Sequence, residues 1–394
     1  LSIYALGTAV PLLLIGYGGQ WAVQSARALT RYTGRIKQIA GILLILSAIA
    51  LKFNLFTALQ TSYGSFGSRL EQALFPQDQS SNSAMNTSNL PRISRAPELA
   101  GLDTWHNSQP LTLAGLRGKV VLVDFWTYSC INCIRTLPYI EAYQKKYGGE
   151  HFKVLGIHTP EFTFEKDDKN VADAIKRHGL TYPIAEDDDY ETWGAFANRY
   201  WPAKYLIDAD GYIRYTHFGE GNYGETDNAI VSLLRELDPT MGIPGGNTLG
   251  PTPSNLPRSP ETYLGSRNWP ALGNAQGNPT EEVIEYKAPP VMVLNQYTLD
   301  GMWQLVDEEY QMLVGDSGEI RMKFLGNEMN LVLGLEEGIT PIKAEVLIDG
   351  KPYKEFDVDR HDLFNLYKGD YGEHEMILKL KGHGVQAFAF TFGA

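Results

Sequence analysis

Residues 119–138 read KVVLVDFWTYSCINCIRTLP, and the order of residue types in this stretch decides the fold. Residues 119–126 form an apolar, β-branched run of the length and composition of a strand buried on both faces. Helical periodicity then runs over 134–147, with Pro138 inside it. Between strand and helix stand Cys130 and Cys133, the two cysteines of a 394-residue chain. A CxxC in this position has a mechanism. The first turn of a helix presents unpartnered N–H groups and a partial positive charge, and both stabilise a thiolate at the first cysteine. The second cysteine lies one turn further on, close enough to form a disulfide with the first. Cys130 is therefore expected to attack a substrate disulfide, and Cys133 to resolve the mixed disulfide.

The competing chemistries lack residues. Zinc needs two ligands beyond the cysteines, and His151, His158 and His178 are scattered. A structural disulfide closing four residues adds little stability. Haem attachment needs a histidine directly after the second cysteine, where Ile134 stands. Asp124, in the middle of the apolar strand, faces desolvation that raises a carboxyl pKa. It is the candidate acceptor of the Cys133 proton. Trp201-Pro202 precedes a further strand, and a cis Pro202 facing the cysteines would expose the Trp201 backbone to an extended substrate. Trp126 and Trp201 are the candidate substrate-binding residues. The redox-active disulfide Cys130–Cys133 is the only redox group expected, with no cofactor and no metal.

Outward from this motif the chain reads as multidomain, since its length suits two to three ordinary domains. Residues 96–237 alternate strand and helix signals: strands at 152–158, 182–185, 203–208 and 212–218, helices at 164–178 and 226–237. This predicts one α/β domain. Residues 238–279 hold eight prolines and many glycines and read as an irregular connection. From 280 to 394 the periodicity is two, with turns at Asp349-Gly350 and Gly382-His383-Gly384, which predicts an all-β jelly-roll sandwich.

Residues 1–60 read as two transmembrane helices. Residues 1–26 carry no charge, 38–51 are equally apolar, and each stretch approaches the ~20 residues that cross a bilayer. Two spans make a poor transporter, so they read as the end of a larger membrane domain. The loop between them carries Arg27, Arg31, Arg35 and Lys37 and no acid, which places it in the cytoplasm. Everything after about residue 61 is then extracytoplasmic. Residues 61–95 are a linker, Ser-, Asn- and Gln-rich over most of its length. The lipid bilayer is thus an expected partner, and a formal net charge of −12 excludes nucleic acid as a main one.

Asp124-Phe125-Trp126, Cys130, Cys133, Pro138 and Pro202 together resemble the thioredoxin superfamily. Leu116-Arg117-Gly118-Lys119 and the extra helix and strand over 164–185 resemble its TlpA/ResA branch. The string from Trp126 to Pro138, with residues 158–162 (HTPEF) and 218–221 (FGEG), resembles the DipZ-like proteins. That resemblance implies the end of a CcdA/DsbD-type membrane domain, a thioredoxin-like domain and a carbohydrate-binding-module-like β-domain. It also implies a membrane-tethered thiol:disulfide oxidoreductase of the bacterial inner membrane, acting as reductant in redox homeostasis or in cytochrome c and protein thiol maintenance. Its partners would be protein disulfides, a CcdA-like donor and, at the C-terminal domain, a glycan. The Ile-Asn spacer between the cysteines departs from the Gly-Pro of cytosolic thioredoxins.

Two other functions compete. A peroxiredoxin-like peroxidase needs a proline where Phe125 or Trp126 stands, and Thr127 is the only echo of its motif. A glycan-binding module with an accessory redox domain would use Trp303, Tyr310, Tyr353, Tyr367 and Tyr371 as a sugar-stacking groove.

Overall fold

The computed structural model describes residues 90–243, 254 and 256–393. The two spans expected within 1–60 lie outside these residues. Among the described residues no helix is long and apolar enough to cross a membrane.

The N-terminal part is built on seven strands: β1 (Ser94–Arg95), β2 (Trp105–His106), β3 (Val120–Trp126), β4 (Phe152–His158), β5 (Ile184–Glu186), β6 (Ala203–Ile207) and β7 (Tyr212–Phe218). They pair in the order β1-β7-β6-β3-β4-β5-β2, so the strand that leads into the cysteines is central. β3, β4 and β5 run parallel, while β6 is antiparallel to both β3 and β7. The helices are α1 (Ile131–Tyr147), α2 (Asp168–His178), α3 (Glu191–Ala195) and α4 (Tyr223–Leu237). The period of two along β3 sorts the sheet's faces. Val120, Leu122 and Trp126 pack with Leu137 and Ile140 of α1, Val171 of α2 and Ile230 of α4. Val121, Val123 and Phe125 enter a second core with Leu155, Phe196 and Tyr205. Asp124 shares the parity of Leu122 and Trp126, which directs it toward α1.

Several boundaries differ from the sequence reading, among them the last helix, which begins at Tyr223 rather than 226, and three of the differences have a local reason. α1 begins at Ile131 rather than 134, because Cys130 itself is the N-cap. The helix expected from 164 divides into a single tight turn, Thr163–Lys166, and α2, because the Asp167 carboxylate caps α2 through the Lys169 N–H at 2.8 Å. The last residues of the expected linker are part of the sheet. Ser94 and Arg95 pair with the edge of β7, and the Leu90 carbonyl accepts from Arg214 Nε at 2.9 Å. Tether composition carries no signal for pairing with an open strand edge.

The C-terminal part is all-β: β8 (Thr262–Tyr263), β9 (Val283–Tyr286), β10 (Tyr297–Val306), β11 (Tyr310–Leu335), β12 (Ile342–Ile348), β13 (Lys351–Val358), β14 (Asp362–Lys381) and β15 (Val385–Gly393). The path is β13-β12-β14-β11-β10-β9, with β15 on β11 and β8 on β15. β11 is one long strand, with a register shift against β14 between Gly326 and Glu328. The proline-rich connection is not all irregular. Leu264, Trp269 and Leu272 join the core of Trp303, Leu331 and Phe390, because apolar residues spaced among prolines still bury. The five-aromatic sugar groove is not assembled: Trp303 and Tyr367 are buried, Tyr310 packs on Phe388 at 4.7 Å, and only Tyr353 and Tyr371 project to solvent.

The two parts share a small apolar contact. Phe162 and Phe164 lie 5.3 and 4.7 Å from the Phe388 ring, beside Val332 and Ala389. Ion pairs flank it: Arg135–Glu328 at 2.9 Å and Arg177–Asp362 at 3.1 Å. Phe388→Ala is expected to destabilise the protein by about 3–5 kcal/mol, as buried Phe truncations do. Calorimetry of the full chain in detergent should then show the C-terminal part unfolding apart from the N-terminal α/β part, where the wild type should show one coupled transition.

Candidate active site

The site is built on the end of β3. Cys130 is the N-cap of α1, and its Sγ accepts the Cys133 N–H at 3.3 Å. This is a free N–H of the first helical turn directed at sulfur, the arrangement that favours negative charge there. Both cysteines are free thiols. Cys130 is half-buried and reachable, while Cys133 is fully buried. Burial pushes the Cys133 thiol well above its ordinary value, the hydrogen bond and charge at Cys130 add to this, and Asp124 adds a smaller part. The two sulfurs therefore have different roles before any substrate arrives. One is presented to solvent with a donor behind it, and the other is held protonated in a dry interior.

Asp124 is completely buried, and neither carboxylate oxygen has a hydrogen-bond partner among the described residues. Burial pushes its carboxyl up to about 7, partly offset by the charge of Lys204. Lys204 is its cross-strand neighbour on β6 and is equally buried. Burial lowers the ammonium pKa against the pull of Asp124 and Cys133, and its Nζ donates to the Gly219 carbonyl at 3.3 Å. The sequence reading missed Lys204. Its signal was the one that singled out Asp124: a charge inside an apolar strand, here AKYLI.

The loop between β3 and Cys130 is held by a residue that nothing in the sequence marked. Glu165 is fully buried and accepts from Ser129 Oγ at 2.7 Å, Ser129 N at 3.2 Å and Thr127 Oγ1 at 2.5 Å. Its other oxygen accepts from Glu161 N at 2.6 Å and Phe162 N at 3.0 Å. Burial still leaves its carboxyl raised. His158 lies alongside, its Nε2 3.4 Å from Thr127 Oγ1 and its ring stacked on Tyr128 at 5.7 Å. Burial lowers its pKa to about 3, so it is neutral.

The Trp201–Pro202 peptide bond is cis. The Pro202 carbonyl accepts from Gly219 N at 2.8 Å. The half-buried Trp201 ring lies 4.3 Å from Trp193, and its Nε1 donates to the Thr159 carbonyl at 3.0 Å. Trp201 packs on the same core that Cys130 flanks. Trp126 does not fit the substrate-binding role. It is fully buried, 5.2 Å from the His158 ring, because its parity on β3 turns it into the core beneath the helices.

The site lies within a segment that matches a known family. Residues 89–233 match the family described as Redoxin, and residues 259–393 the one described as thioredoxin like C-terminal domain. The whole chain is 34% identical to Protein DipZ of Mycobacterium bovis. It spans 59% of that relative's length. Over 36% of the chain it is 31% identical to the thiol-disulfide oxidoreductase YkuV of Bacillus subtilis, covering 95% of that protein. A crystal structure of a thioredoxin-like superfamily protein matches 38% of this chain and 99% of its own at 27% identity, with a TM-score of 0.34.

Two outcomes follow for stability. The raised Asp124 carboxyl keeps its proton in the folded protein over a range, from near 3.8 to about 7, in which the unfolded chain loses it. Its stabilisation is thus present at low pH and lost as pH rises through about 7. Denaturant titrations at pH 5 and pH 8 should show Asp124→Asn gaining stability relative to wild type at the higher pH. Glu165→Ala strands five donors and should cost roughly 3 kcal/mol or more. Glu165→Gln should recover part of that loss in the same titration.

Proposed function

Because this chain belongs to the thioredoxin-like thiol-disulfide oxidoreductases, we propose that it is a membrane-tethered reductant of protein disulfides on the extracytoplasmic side of a bacterial inner membrane. The observation that carries the reading is the asymmetry of the pair. Cys130 is reachable and hydrogen-bonded at sulfur, and Cys133 is buried near a carboxyl poised close to neutrality.

The reaction begins with the Cys130 thiolate attacking one sulfur of the substrate disulfide. A Cys130–substrate disulfide forms, the substrate S–S bond breaks, and the other substrate sulfur leaves as a thiolate that takes up a proton. Asp124, ionised, accepts the Cys133 proton. The Cys133 thiolate attacks Cys130 Sγ, the Cys130–substrate S–S bond breaks, and the second substrate sulfur leaves as a thiolate that takes up a proton as Asp124 gives up the one it accepted. Two electrons pass to the substrate, and the enzyme ends as the Cys130–Cys133 disulfide. Outside the cytoplasm no glutathione pool restores the dithiol, so a dedicated donor must do so. A CcdA-like membrane domain, ending in the two apolar stretches of 1–60, is the proposed source, with the positive loop of residues 27–37 facing the cytoplasm. The C-terminal domain is the jelly-roll, carbohydrate-module-like partner of this reductase.

The full chain in detergent, with dithiothreitol, should accelerate insulin reduction, and no acceleration over the reagent alone would defeat the reading. Cys130→Ser should abolish turnover, and Cys133→Ser should accumulate mixed disulfides. Asp124→Asn should slow turnover at neutral pH by roughly a hundredfold, the lower range for loss of a proton acceptor. It should also erase the rise in rate as pH passes about 7, where the Asp124 carboxyl ionises. Alkaline phosphatase fused after residue 75 should be active, whereas an active cytoplasmic reporter there would overturn the orientation.

A further inference from the structure

A groove of about 420 Å³ opens directly beside the cysteines, and its two sides come from different domains. One side is the Ile131-Asn132 spacer of the CxxC. The other is Arg258, Ser259, Pro260, Glu261, Thr391 and Phe392 of the C-terminal part, where Glu261, the one acid of the lining, accepts from the Tyr263 hydroxyl at 3.3 Å. We propose that this groove binds the polypeptide flanking the substrate's reactive cysteine, with Arg258 receiving a carboxylate side chain, so that the C-terminal domain selects acidic peptide disulfides. The inference rests on the reductase reading and names its substrate class.

Position is the first argument. Ile131 follows Cys130 in the chain, so a substrate whose sulfur is bonded to Cys130 extends its neighbouring residues along the spacer or away from it. The second argument is unmet polarity. Thr391 is almost entirely buried, and its Oγ1 has no hydrogen-bond partner among the described residues. A buried hydroxyl without a partner is costly, and a peptide carbonyl or N–H supplies one. Arg258 is exposed, and no ion pair or hydrogen bond engages its guanidinium among the described residues, leaving a planar donor suited to a carboxylate.

The third argument is that the walls are fixed. Arg135, on the first turns of α1, pairs with Glu328 at 2.9 Å and Glu220 at 3.4 Å, and Phe388 packs on Phe162 and Phe164. The pairing of β8 with β15 ends at Thr262–Phe390, and Pro260 has no N–H with which to continue it. A groove held in this way selects by shape and charge without having to be ordered first. A sugar is the less suited occupant, because Phe392 is the one aromatic lining it and is itself buried.

The test uses the full chain in detergent and three substrates: a disulfide-linked peptide with Asp flanking cysteine, the same peptide with Lys there, and oxidised glutathione. Wild type should favour the Asp peptide over the Lys peptide in kcat/KM by about fivefold, the size of one partly exposed ion pair. Arg258→Glu should reverse that preference, mainly through KM. Thr391→Val, nearly isosteric, should raise KM for both peptides about threefold relative to oxidised glutathione. An Asp-to-Lys ratio unchanged by Arg258→Glu would overturn the proposal, as would inhibition of peptide turnover by a soluble oligosaccharide. Failure to turn over any of the three substrates would instead overturn the reductase reading and the inference with it.

Discussion

Five donors converge on the buried carboxylate of Glu165, two of them hydroxyls and three of them backbone N–H groups. They come from opposite directions. Thr127 and Ser129 belong to the loop that delivers Cys130, and Glu161 and Phe162 to the turn that meets the C-terminal part. A carboxylate in a dry site must be satisfied by donors or take up a proton. Its demand for partners therefore fixes two loops against each other without a covalent link. The placement of Cys130, the seat for Phe388 and the groove at Ile131-Asn132 all depend on that knot.

A second buried carboxylate does the opposite. Asp124 has no hydrogen-bond partner, and its carboxyl sits near neutrality because burial outweighs the attraction of Lys204. The contrast between two equally buried acids is instructive. Glu165, surrounded by donors, serves as structure. Asp124, left without them, keeps a proton that can be moved. Lys204 faces it across the sheet and tempers the shift, so the acid stays within reach of physiological pH.

Much of this was legible from residue order. The strand–CxxC–helix sequence and the charge at Asp124 led directly to the central strand and the cysteine pair, because period and burial act locally. Cys130 acting as its own helix cap was one residue-level step beyond the periodicity. Glu165 was not legible, since an acid in FTFEK looks solvated until the loop 36 residues earlier closes over it. Trp126 misled for a related reason. A large aromatic next to a reactive cysteine suggests contact with substrate, but the pleat of β3 sends it inward. The long strands β11 and β14 were visible only in fragments, because their bends break the alternation that marks a strand.

The chain's two cysteines both belong to the site, and the cores that hold the fold contain no other thiol. Two cysteines admit one pairing and no alternatives. Within residues 1–394 the scaffold is therefore held without any disulfide besides the redox pair itself. Among these 394 residues no second intramolecular bridge competes with it, so electron traffic at the site leaves their covalent structure otherwise unchanged. The Cys130–Cys133 pair carries two electrons at a time, and the packing of the described domains calls on no further disulfide within residues 1–394.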